Sequence, residues 1–66
     1  MELREQLMTL LRARQDLTHS DLLSLSVAIS GQTRTEAMIA FLEKNPDATV
    51  DEVFQKAGEI AFGKNA

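Results

Sequence analysis

Leu3, Leu7, Leu10 and Leu11 recur at i, i+4, i+7 and i+8, which on an α-helix is a single face. The spacing predicts a first helix over residues 2–15. Carried on through Arg14 to Leu17, the same register is also a short coiled-coil seam, with arginine at one seam position. Two uses of the stripe stay open: a surface facing the chain's own core, or a dimer seam with the Arg14 stem lying along its edge.

The second segment carries two signals. Thr18 followed by Asp21 is a capping-box-like start, and Gly31 suits a left-handed helix stop, so the pattern predicts a helix from His19 to Ser30. Residues 23–30, however, alternate large apolar with small residues, the period of a half-buried strand. The cap and the stop favour helix. A strand here would need a partner strand, and a two-fold related copy of the chain is the natural source.

Thr33 and Glu36 form an S/T-x-x-E box that predicts a third helix from residue 33 to residue 44, halted by Asn45-Pro46. Its middle, residues 37–42, is apolar all round, which implies burial on more than one side. Thr49 and Glu52 open a fourth helix. Val50, Val53, Phe54, Ala57, Ile60 and Ala61 make its apolar face, and Gly63 ends it. Residues 64–66 read as a frayed tail after a single domain over 1–63. The fold expected is all-α, a compact bundle of four short helices completed by homodimerisation.

Size supports the dimer. A 66-residue chain buries a smaller share of its surface than a larger domain does, and this one is 44% hydrophobic with no cysteine to staple it. The net charge of −3 resides in residues 36–66, because the charges of residues 1–35 cancel. An acidic chain gains no general attraction to phosphate backbones. The opening residues are too polar for a secretory signal, and no apolar run approaches a membrane span, so a cytoplasmic protein with no membrane contact is expected.

Little in the chain suggests reaction chemistry. His19 is the single histidine and falls in a helical first turn. Asp47, Asp51 and Glu52 lack the alternating ligands and central glycine of a calcium loop. Two of them favour the positive end of a helix dipole instead. No nucleophile elbow or phosphate loop occurs, so no enzyme, no cofactor and no metal are expected.

The order Leu17-Thr18, Leu22, then Ser30-Gly31-Gln32-Thr33 resembles the start of a phage-repressor-type helix-turn-helix domain. Ala28 stands where the turn glycine is usual in that family, and the spacing from Thr18 to Ser30 exceeds the family's by one residue. The resemblance implies DNA binding with residues 33–44 as recognition helix, and Gln32, Thr33 and Arg34 as the residues that reach the bases. The reading preferred over it is a small non-catalytic regulator or adaptor that binds itself and a protein partner. Its expected contacts are Leu3, Leu7, Leu10, Arg14, Met38 and Ile39.

Overall fold

A computed structural model describes residues 2–63, which form four helices: α1 (Leu3–Arg12), α2 (His19–Ala28), α3 (Gln32–Lys44) and α4 (Val50–Phe62). No strand occurs among the described residues, so the alternating stretch 23–30 is not a strand. The tail assigned to 64–66 lies outside the described residues.

Two of the three capping boxes read from the sequence are present. The Thr18 hydroxyl accepts from the Asp21 amide at 3.1 Å, and the Asp21 carboxylate accepts from the Thr18 amide at 3.0 Å. Thr49 and Glu52 repeat the arrangement at 3.1 and 2.8 Å. Each box satisfies two backbone amides that a helix start leaves without partners. Gly63 ends α4 in the left-handed conformation, at φ 60°.

The third box does not form. α3 starts one residue earlier, with Gly31 as its N-cap and no side-chain cap. Thr33 is therefore already inside the helix. Thr35 turns its hydroxyl back onto the Gly31 carbonyl at 2.7 Å and is buried. Glu36 accepts from the Gln32 side chain at 3.2 Å instead.

Two helices are shorter than their patterns. α1 stops at Arg12 rather than residue 15, because the chain turns to place Leu17 in the core. α2 stops at Ala28 rather than Ser30, and Gly31 is not its left-handed stop. The end of α2 is closed from outside by Arg4, which donates to the Ile29 carbonyl at 3.0 Å and to the Ser26 carbonyl at 2.8 Å. Ile29 can then leave the helix with its side chain fully buried.

The core draws on every element: Leu7 and Leu11 of α1, Leu17 of the link ahead of α2, Leu25 and Ile29 from α2 and its end, Met38, Ile39 and Leu42 of α3, and Ala48, Val53 and Ala57 around α4. α1 packs on α2 and α3, and α4 packs on α2 and α3. No Cα of α2 lies within 8 Å of a Cα of α3, and the same holds for α1 and α4. The helices thus form a ring in the order α1–α2–α4–α3, and the short link over residues 29–31 crosses its diagonal. The radius of gyration, 10.7 Å, matches the roughly 11 Å of a collapsed chain this long.

Candidate interaction surface

A strand-like alternation wound onto a helix has a definite geometric result. Successive residues turn by about 100°, so residues two apart face nearly opposite ways, whereas residues four apart share a face. Leu25 and Ile29 point inward and are fully buried. Leu23 and Val27 consequently point outward, 55% and 80% exposed. Ser20 and Ser24 lie beside them on the same outer face and are also exposed.

This face carries no charge. The one charged residue of α2, Asp21, is half-buried and engaged in the capping box. The exposed sides of the other helices hold Arg4, Glu5 and Arg12 on α1, Arg34, Glu36 and Glu43 on α3, and Asp51, Glu52 and Glu59 on α4. A surface helix ordinarily sets charged residues opposite its core stripe, as these three do. Phe62, 85% exposed, is the remaining large apolar side chain strongly exposed among the described residues, at the end of α4.

The contact residues read from the sequence fall elsewhere. Leu7 and Met38 are fully buried and Ile39 nearly so, all within one chain. They are not available to a partner, because every one of them belongs to the core that holds the four helices together. Leu3 and Leu10 are partly buried against that core. The leucine stripe of α1 is thus the core-facing surface of its own chain. The run 37–42 is buried along the arc of Met38, Ile39 and Leu42 that lies between α1 and α4, while Ala37 and Ala40 face solvent.

Arg14 does not lie along an open apolar edge. It donates to both carboxylate oxygens of Asp16, at 3.3 and 3.1 Å, and to the Ala48 carbonyl ahead of α4. Its side chain is 15% exposed. The hydrogen bonds from the guanidinium hold the Asp16 carboxyl below its usual value of 3.8.

Gln32, Thr33 and Arg34 are exposed at the start of α3. A helix-turn-helix packs its two helices against each other across a turn of three or four residues. Here the turn has that length, yet α2 and α3 make no such packing. The recognition-helix geometry implied by the resemblance is absent from this pair.

A concave feature lies between the end of α3 and α4, lined by Phe41, Lys44, Pro46 and Lys56 among others. Lys56 stands over the Phe41 ring at 5.8 Å and 3.8 Å from Glu59, so its charge is already matched inside the chain. His19 is exposed in the first turn of α2. Among the described residues, no three acidic, histidine or cysteine side chains cluster as a metal site would require. No helix there is long and apolar enough to cross a membrane.

The outward pair Leu23 and Val27 was missed in the sequence because both residues belonged to the alternation that suggested a strand. Once that stretch is assigned to a helix, the same alternation locates them. No protein-family model, curated protein or solved structure matches the chain.

Proposed function

We propose that this protein is a small non-catalytic regulator or adaptor that acts by binding protein through the outer face of α2, and that it self-associates as a homodimer. The observation that supports the reading is the pair Leu23 and Val27, exposed one helical turn apart on a face without charge. Large apolar side chains grouped on a surface mark contact sites more often than isolated ones do. The contact set proposed is therefore Ser20, Leu23, Ser24 and Val27, in place of the leucines of α1 and the apolar residues of α3.

The test is photocrosslinking in the cells that make the protein. A photoreactive residue replaces Ser24 in one version and Glu36, exposed on α3, in another. Protein adducts formed from position 24, absent from position 36 and lost on adding Val27→Lys, are the expected result. Equal adduct formation at both positions, or none at either, overturns the reading.

A further inference from the structure

We infer that this chain pairs with a second copy of itself by exchanging arms: α1 and α2 of one copy pack on α3 and α4 of the other, with Ser30 and Gly31 as the pivot. The inference rests on the self-association in the reading above and adds its geometry. The outer face of α2 takes no part in it.

The ring of helices selects the occupant. α1 packs on α3 and α2 packs on α4, so the core is built between the first two helices and the last two. α1 meets α3 more extensively than it meets α2. An opened chain therefore bares two complementary surfaces, and a second copy carries the surface that fits each of them. Every contact of the closed core can reform between copies. That includes the bond from Arg14 to the Ala48 carbonyl, which among the described residues is the one hydrogen bond that passes between the arms.

The link turns at one place. The Ile29 amide donates to the Leu25 carbonyl at 2.8 Å and its carbonyl accepts from Arg4 at 3.0 Å, so Ile29 belongs to the first arm. The Gly31 carbonyl accepts from the Thr35 amide at 3.0 Å and from the Thr35 hydroxyl at 2.7 Å, so α3 holds it. Exposed Ser30 lies between these anchors. Rotation at Ser30 and about the N–Cα bond of Gly31 swings one arm away with both anchors intact. The closed turn needs Gly31 at φ 93° and ψ 154°, angles that only glycine takes readily. An exchanged link makes no such turn, so the closed form alone depends on glycine there.

Concentration decides between the two forms. A short link holds its ends at an effective concentration on the order of 1 mM, and exchange competes as the protein itself nears that value. Interconversion takes the core apart, so it proceeds at the rate of unfolding, and an exchanged dimer outlasts dilution. Such a dimer carries the Leu23 and Val27 face twice, which strengthens its hold on a partner with two sites.

The chain has no cysteine, so Gln15→Cys and Asp47→Cys each place a single thiol at an exposed position, next in sequence to Arg14 and Ala48. The two variants are held together at on the order of 1 mM, diluted to on the order of 10 µM and treated at once with a short bismaleimide. An adduct joining position 15 of one chain to position 47 of the other is expected, and it should be absent when the variants are mixed only after dilution. A dimer of closed chains keeps each 15–47 pair within one chain and shows no such difference. In sedimentation equilibrium over the same range the average mass of the parent chain should rise above 7.3 kDa. Gly31→Ala should tighten association at least about tenfold, and a run of glycines inserted after Ser30 in that variant should undo the gain. The adduct test keeps the parent link and reads the exchange whether or not Gly31→Ala folds. A mass of 7.3 kDa at every concentration overturns both the exchange and the self-association. A dimer without the 15–47 adduct overturns the exchange and leaves self-association standing. A dimer indifferent to a folded Gly31→Ala overturns the pivot, and the inference with it.

Discussion

The guanidinium of Arg4, in the first turn of α1, closes the far end of α2 by donating to the Ile29 carbonyl at 3.0 Å. A second nitrogen of the same group reaches both the carbonyl and the hydroxyl of Ser26. The final carbonyls of a helix lack partners within it and carry its negative end, so a planar cation with several donors fits them well. Arg4→Met should lower stability by about 1–2 kcal/mol in urea unfolding. Arg4→Lys should fall between the two, because an ammonium keeps the charge and loses the fork. Equal stability of all three chains would show that water serves these carbonyls as well as Arg4 does.

Leu7 separates the two uses of the α1 leucines. It is fully buried within one chain, and Leu7→Ala should cost about 2–5 kcal/mol, close to the whole stability of a domain this small. Leu7→Asp should abolish the helical circular dichroism at all protein concentrations. A folded, monomeric Leu7→Asp chain would return this leucine to a dimer seam.

Two glycines should respond to alanine with opposite signs, although a Cβ at either would meet no atom within 4 Å. Gly31 sits at φ 93° and ψ 154°, a conformation confined essentially to glycine, so Gly31→Ala should destabilise by about 1–3 kcal/mol through the backbone alone. Gly58 is helical, and Gly58→Ala should stabilise by about 0.5–1 kcal/mol. Melting temperatures of the two variants check the signs.

Asp16 gives the fold an acid-sensitive contact. Its folded carboxyl titrates below the usual 3.8 because Arg14 donates to the ionised form. A depressed folded value adds stability that is present above about 3.8 and is lost as pH falls through the folded titration. Asp16→Asn, which mimics the protonated state, should melt slightly lower than the parent at neutral pH. The two melting curves should converge under acid conditions, and a constant gap across the acid range would count against the contact.

The elements were legible wherever local chemistry decided them. Thr18 with Asp21 and Thr49 with Glu52 mark helix starts that four neighbouring residues settle among themselves. The start of α3 was read two residues late, counting from N-cap Gly31 to Thr33, because an S/T-x-x-E match cannot reveal that Gly31 would adopt a positive φ. The end of α2 was hidden for a different reason: Arg4 supplies its cap from more than twenty residues away.

The interaction surface was illegible for a related cause. Periodicity identifies an apolar stripe but not the object it faces. The stripe of α1 was weighed both as core and as seam, and the chain uses it as core. The pattern in residues 23–30 held two stripes at once, and only the position of α2 in the ring tells which of them is covered. Arg14 shows the same limit, since its partner Ala48 comes from a distant loop.

The diagonal link between α2 and α3 makes the chain a clasp of two helical hairpins. α1 with α2 and α3 with α4 are each continuous in sequence, and each presents half of the core to the other. Opening the backbone at exposed Ser30 would leave every packed helix pair intact and sever only the tether. The two halves would then recognise one another as separate peptides, so that assembly of the core becomes a bimolecular event. Its rate would report how much of each half is ordered before they meet.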